Sequence, residues 1–456
     1  MAAHVPPDEG TAERAATLRA ELESALGGDA LLGSDQCRAY QVDGVVPALV
    51  AIPSTPEQVA AALAAADRLG AAVLPWGGGS AMALGYPPRA GDLALDLRRL
   101  NRVLQYEPAD LTLSVQAGIT FAALQGVLDA RGQRLPLDCS QPEVATLGGL
   151  VAANLSGPRR LRYGTARDLL IGVRAAHPDG TLSRGGGMVV KNVSGYDMMK
   201  LYLGSLGTLG IVVELNFKLT PRPPSQGTVV LAFAGLEPAL AAAAELLSTQ
   251  LLPCAVVVLD AQVAAALGVQ DAAGALAVWF EGAQAATERQ LQDVRARGDA
   301  WGIAASYTLL SRNSAAFWER VSGFQAIDAE PANGALLKLS VVPTDLAAAM
   351  SSVVELCGQV DLGCLQFADA GSGIVYVRVG QPADHPPAVF AWALWALQTE
   401  LVRRWGQSVV LSCPTVAKEN LPLWGREPSG LAVMHALKER FDPRGILNPG
   451  RFVDRI

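Results

Sequence analysis

The stretch from 145 to 223 constrains this chain more than any other. Small residues recur there at Gly148, Gly149, Ala152, Ala153, Ser156 and Gly157, and again at Gly195, Gly204, Ser205, Gly207 and Gly210. A glycine in an ordered element costs backbone entropy, so this density implies that backbone comes close to something. A bound cofactor is one reading, and tight packing of a helix on a sheet is the other; the glycines alone leave the two level. A second cluster, WGGGS at 76–80, follows a strand–helix–strand pattern. Its strands are expected at 47–52 and 71–75. The helix between them is expected at 56–69, with Thr55 as N-cap and Pro56 at the first helical position. Consecutive amides without side chains can converge on anionic oxygens. The loop is neither a Walker motif, since no Gly-Lys-Ser/Thr follows, nor G-x-G-x-x-G, since position 82 is Met. Alone, it is explained equally well by a flexible turn.

At 456 residues the chain is too long for one core, so two or three domains are expected. A net charge of −7 argues against nucleic acid as the main partner. The first residues carry no basic region followed by an apolar run, so no signal peptide is expected. No apolar run approaches the roughly 20 residues of a spanning helix. These readings point to a soluble, cytoplasmic protein without a transmembrane segment. The six cysteines, at 37, 139, 254, 357, 364 and 413, form no Cys-x-x-Cys and read as buried thiols rather than cluster or zinc ligands.

Strands are expected at 92–97 and 111–115, then a helix at 121–131 capped by Thr120. A hairpin spans 169–176 and 181–184 around Pro178, Asp179 and Gly180. A helix at 196–203 and an alternating strand at 210–219 follow, and PRPP at 221–224 marks a boundary. Beyond it the texture changes to Ala-rich helices at 237–250, 285–297, 345–358 and 388–405. These are interleaved with strands at 228–233, 255–260, 275–281, 304–310, 336–342, 373–379 and 408–412. This order reads as two copies of β-α-β-β-α-β, a ferredoxin-like pair in one antiparallel sheet covered by helices, and the fold class is α+β.

Four segments, in this order, carry a resemblance: WGGGS at 76–80; TLGG at 146–149 with Ser156 and Gly157; GYD at 195–197 with GSLGTLG at 204–210; and DPRGILNPG at 442–450. Together they resemble the vanillyl-alcohol-oxidase flavoproteins, with a bipartite PCMH-type FAD-binding domain and a cap. LSGPRR at 155–160, Tyr163, Gly164, Arg167, Asp168 and KNVSGYD at 191–197 resemble, within that family, the FAD-binding subunit (GlcE-like) of bacterial glycolate oxidase. The resemblance implies an N-terminal helical segment at 1–45, an FAD-binding domain at 46–224, a cap at 225–415 and a C-terminal segment at 416–456 returning to the FAD domain. It implies noncovalent FAD, since the first glycine loop has no His. Gly77, Gly78, Gly79, Ser80 and Met82 would hold the pyrophosphate. Pro142, Thr146, Gly148, Gly149, Asn154, Ser156, Gly157, Gly164 and Asp168 would line the other side. Gly210, Ile211 and Val212 would pass the adenine or ribose, and Asn448 would return to the flavin. The implied partners are a catalytic glycolate oxidase flavoprotein subunit, an iron–sulfur subunit and a small 2-hydroxy acid, with peripheral attachment to the inner membrane through those partners.

The catalytic sister subunits carry a His-rich metal segment in the cap. The aligned stretch here is DAGSGIVY at 369–376, without His, and a second such motif falls on 413–425, also without His. No catalytic metal is expected, and no residue is identified as a catalytic base. Of the four histidines, at 4, 177, 385 and 435, His435 on the last helix could approach the flavin, but a packed or surface role suits it better. Lys191 reads equally as a charge near the flavin or a solvated lysine. Arg159 and Arg160 can grip a carboxylate or phosphate, or serve a surface or subunit contact. Three functions follow: an FAD-binding subunit in glycolate oxidation, a self-sufficient FAD-dependent 2-hydroxy acid or alcohol dehydrogenase, or a flavin-free scaffold. The intact glycine loops argue against the scaffold.

Overall fold

The computed structural model describes residues 9–189, 196–326, 334–382 and 385–456. After helix α1 (Glu9–Leu26), strand β1 (Leu49–Ala51), helix α2 (Pro56–Leu69), β2 (Val73–Trp76) and β3 (Leu93–Asp96) form a parallel three-stranded sheet in the order β1-β3-β2. The α2 start follows the sequence: the Thr55 hydroxyl accepts from Gln58 N at 3.2 Å, and Gly70 ends the helix in the left-handed region. Val59, Leu63 and Ala66 of α2 pack on Leu49, Val73 and Leu93, with Leu447 from the far C-terminus in the same core.

A five-stranded antiparallel sheet follows. Its strands are β4 (Val103–Glu107), β5 (Thr112–Gln116), β6 (Leu170–Ala176), β7 (Leu182–Gly186) and β8 (Ile211–Lys218), ordered β4-β5-β8-β6-β7. Four helices lie between β5 and β6 in sequence: α3 (Phe121–Asp129), α4 (Leu147–Ala153), the single turn α5 (Arg160–Tyr163) and a further turn at Ala166–Leu169. Strand β4 escapes the sequence reading because it is an edge whose residues are exposed or half-buried, with weak alternation. The helix expected at 196–203 is confined to Met199–Tyr202, since Gly204 turns at φ +76°.

Apart from the short pair Gln133–Arg134 and Thr220–Pro221, the remaining strands build an eight-stranded antiparallel sheet. They are β9 (Ser225–Phe233), β10 (Ala255–Asp260), β11 (Gly274–Gly282), β12 (Ala305–Leu310), β13 (Gly334–Ser340), β14 (Cys364–Asp369), β15 (Ile374–Gly380) and β16 (Ser408–Ser412), ordered β12-β9-β11-β10-β14-β15-β13-β16. Each half has the 4-1-3-2 order of a ferredoxin-like unit. The halves join where their second strands pair, Val258 opposite Ala368. Strand β14 supplies the eighth strand, which the sequence reading lacked.

Four helices cover one face: α6 (Leu236–Leu247), α7 (Gln284–Gly298), α9 (Leu346–Gln359) and α10 (Pro387–Trp405), with Leu337, Leu339, Val375 and Val377 pointing into that core. The intervening α8 (Ser311–Gly323) and the turn Ala261–Ala266 cover the opposite face of the first half only. Phe317, Trp318 and Val263 pack there with Trp279. The second half turns this face toward the glycine-rich module, where Leu336 and Tyr376 share a core with Ala83 and Leu84. Helix α11 (Leu431–Phe441) leads the chain back to β2. Among the described residues no helix is long and apolar enough to cross a membrane.

Candidate functional site

The C-terminal return is built by one carboxylate. Asp442 Oδ1 accepts from Ile446 N (3.0 Å), and its Oδ2 accepts from Leu447 N (2.8 Å) and Lys438 Nζ (2.6 Å). The turn it fixes lays 446–448 along β2: Val73 N donates to Ile446 O, and Asn448 N donates to Val73 O, both at 2.8 Å. Asn448 and Arg451 are thereby delivered to the end of β2, where the WGGGS loop begins.

A cleft of about 800 Å³ opens at that junction. Its floor is the loop from Trp76 to Met82, its sides are the start of α4 and 206–212, and its end is Asn448 and Arg451. The loop tolerates little besides glycine. A Cβ on Gly78 would lie 1.7 Å from Val144 O, and Gly79 turns at φ +78°. The amides of Gly77, Gly78, Gly79, Ser80 and Ala81 donate to no backbone carbonyl among the described residues. Thr146 is the N-cap of α4, accepting from Gly149 N at 3.3 Å. Arg451 is buried, and its Nη2 donates to Met82 O at 2.8 Å, while Nε and Nη1 have no partner. Burial pushes its guanidinium down to about 10 against the pull of Asp43. Asn448 Nδ2 donates to Leu206 O at 2.7 Å and leaves Oδ1 unpaired. Free loop amides and the orphaned donors of a buried cation together favour an anionic ligand with acceptor oxygens.

A second cavity, of about 550 Å³, adjoins the first through Ser80. It lies between the loop at 138–141 and the inner face of the second half of the large sheet. Lys338 and Tyr376 face one another across β13 and β15 and both line it. The Tyr376 hydroxyl donates to Ser156 O at 3.2 Å, and burial holds its proton on well above the usual range. Asp138 also lines the cavity and is taken by Arg159, whose N donates to Oδ2 at 2.8 Å and whose Nε lies 3.7 Å from Oδ1. Burial raises the Asp138 carboxyl all the same. Behind the cavity wall, Asp369 is buried with Oδ1 unpaired, and burial raises it to about 7 against the pull of Ser372 and Arg160. Burial, with Arg160 nearby, lowers Lys338 to about 8. Lys338 makes no hydrogen bond among the described residues.

The structure distributes the expected cofactor residues unevenly. Gly77, Gly78, Gly79, Ser80, Met82, Thr146, Gly148, Gly149, Gly210, Ile211, Val212 and Asn448 line the large cleft. Ser156 lines the second cavity instead. Pro142, Asn154, Gly157, Gly164 and Asp168 line neither cavity. Asn154 ends α4 in the left-handed region, Gly157 packs on Asp138, and Asp168 closes a capping box with Thr165 beside Gly164. The second glycine segment therefore divides its work between ligand cleft and local packing. Arg160 Nη1 donates to Ser156 Oγ at 3.2 Å, and Arg159 stacks over Trp279 at 4.5 Å. His435 pairs with Asp454 at 2.8 Å, His177 with Ser183 at 2.7 Å, and His385 lies 3.5 Å from Asp361; none lines either cavity. Lys191 lies outside the described residues. Arg451, Lys338, Tyr376 and Asp138 escaped the sequence reading. A signal existed for Lys338, a lone cation at an inward position of an apolar alternating strand.

Known proteins match nearly end to end. The FAD binding domain family matches residues 47–186, and the family of C-terminal domains of FAD linked oxidases matches 222–408 and 416–452. Glycolate oxidase subunit GlcD of Bacillus subtilis is 26% identical over 425 residues, 89% of each chain. Glycolate oxidase subunit GlcE of Escherichia coli is 40% identical, but over 132 residues, 28% of this chain and 37% of that one. The expected likeness to GlcE is thus carried by a part of the chain, while the match to GlcD spans it. Crystalline p-cresol methylhydroxylase superposes with a TM-score of 0.78 over 97% of both chains at 16% identity, a likeness of fold.

Proposed function

Because this chain belongs to the FAD-linked oxidoreductases, carrying their FAD-binding and C-terminal modules in sequence, we propose that it oxidises glycolate or a related 2-hydroxy acid to the 2-oxo acid in its own cavity. The two orphaned groups at the end of the large cleft, Asn448 Oδ1 and the Arg451 guanidinium, fit FAD. The loop amides from Gly77 to Ala81 and Arg451 take its pyrophosphate, the small residues of α4 lie along it, and Gly210, Ile211 and Val212 border its nucleoside end. Among the described residues the cleft lining holds no His, Cys or Tyr, which supports noncovalent binding of the cofactor. FAD supplies the acceptor for the two electrons that leave the substrate. The protein supplies the rest: a second cavity beside that acceptor, lined by Asp138, Lys338 and Tyr376.

The observation that carries the reading is the second cavity itself, closed by Lys338 and Tyr376 of the cap and continuous with the FAD cleft at Ser80. Glycolate oxidase subunits among the relatives support the substrate class. The chain is purified alone and mixed anaerobically with glycolate or D-lactate. Prompt bleaching of the flavin bands is expected; bands that stay oxidised with every 2-hydroxy acid tried would sink the reading. A second reading is favoured by the GlcE match and by Trp392 and Trp395, 62% and 43% exposed on α10: a subunit working with a catalytic flavoprotein and an iron–sulfur protein. In that case the bands bleach only after such a partner is added.

A further inference from the structure

Among the described residues four titratable groups line the second cavity, and three are committed. Asp138 is held by the Arg159 amide and guanidinium. The Tyr376 hydroxyl donates to Ser156 O. The Cys139 thiol is pushed up to about 11 by burial. Lys338 remains, half-buried on β13 with its side chain on the cavity. Its cross-strand neighbours are Tyr376 on β15 and the apolar Val409 on β16. From the other packed elements, Arg160 of α5 and Asp369 of β14 act on it electrostatically. The described histidines line neither cavity, and amides such as Gln141 and Gln325 are not basic.

Resting on the functional reading above, we propose that Lys338 is the catalytic base: its Nζ takes the hydroxyl proton of the bound 2-hydroxy acid. The substrate O–H bond breaks and an N–H bond forms on the neutral amine, giving an ammonium. With FAD bound as acceptor, the C2–H bond would break with its electron pair leaving as hydride, and the C–O bond would become the carbonyl of the 2-oxo acid. Arg160 and burial favour the neutral amine that this step needs, and Asp369 accommodates the ammonium that results. Flavin reduction therefore quickens as pH rises through about 8, the value to which Lys338 is lowered.

The test compares holoenzyme with Lys338→Met and Lys338→Arg, each checked for bound flavin and a single cooperative melting transition. Both variants are expected to slow flavin reduction roughly 100- to 10,000-fold, while oxalate, read by its perturbation of the flavin spectrum, binds within a few-fold of wild type. Arginine keeps the charge but cannot accept the proton. A near-wild-type Lys338→Arg would therefore overturn the assignment in favour of a positioning charge. A second readout needs no turnover: glyoxylate with cyanoborohydride should leave a carboxymethyl adduct on Lys338 by peptide mass spectrometry. Absence of that adduct would overturn the proposal too. If the wild-type flavin is never reduced while the adduct forms, the functional reading has failed, not the placement of a neutral amine in the cavity.

Discussion

The two halves of the large sheet share one topology and differ in what lies on their inner face. In the first half that face is closed by α8. Thr228 is fully buried, and its hydroxyl is bonded to Ser314 Oγ at 2.7 Å and to Trp318 Nε1 at 2.8 Å. Trp279 stacks on Trp318 at 5.0 Å. In the second half no helix among the described residues of the sheet's own module covers the face. Among the described residues Lys338 makes no hydrogen bond and lines a cavity against the glycine-rich module, and Asp369 Oδ1 behind that wall has no partner. Buried polar groups are ordinarily paired, so an unpaired set that borders a cavity marks where stability yields to function. A duplicated fold can thus keep one copy as a closed scaffold and leave the other open for chemistry.

The contrast can be broken by substitutions on matched faces. The largest expected effect is on the open half: Lys338→Met loses roughly 100- to 10,000-fold in flavin reduction, measured by anaerobic stopped-flow absorbance, without loss of fold. On the closed half, Trp318→Ala removes a buried aromatic and should cost about 3–5 kcal/mol of stability, read by chemical denaturation, with the reduction rate of the folded fraction preserved. Thr228→Val leaves Ser314 and Trp318 without their shared partner and should cost about 1–3 kcal/mol in the same assay. Lys338 also sets a pH dependence. Its folded pKa is lowered from 10.5 to about 8, so the unfolded chain binds the extra proton between those values. The charged lysine thus destabilises the fold below about pH 8, and that cost fades as pH rises toward 10.5. Lys338→Met should therefore raise the melting temperature at pH 7, and the gain should shrink in alkaline buffer. The smallest effect belongs to the outer surface: Trp392→Arg should change stability by no more than about 0.5 kcal/mol.

Much of the glycine-rich module was legible because its signals are local. Thr55 and Thr120 cap the helices that the sequence assigns to them, and twelve of the residues named for the cofactor line one cleft. The duplicated α/β order of the cap was legible from periodicity. Strand β14 and helix α8 were not. The first follows a short turn from its neighbour and lacks alternation. The second carries its apolar face on Phe317, Trp318 and Val321, too few residues to stand out. The second cavity was hidden for a different reason. Asp138, Lys338 and Tyr376 are far apart in sequence, and only the register of β13 against β15 and the packing of the cap on the loop at 138–141 bring them together. Arg451 stands at the end of a motif whose turn is explained by Asp442, and its orphaned guanidinium emerges only once that turn is folded against β2.

The most direct measurement is hydrogen exchange of the FAD-loaded protein with and without saturating oxalate, a mimic of the substrate's carboxylate. The account expects new protection in β13, β15 and the loop at 138–141, with β9 and α8 unchanged. Protection centred on β9 and α8, or none anywhere, would contradict the claim that the second half of the sheet holds the active site.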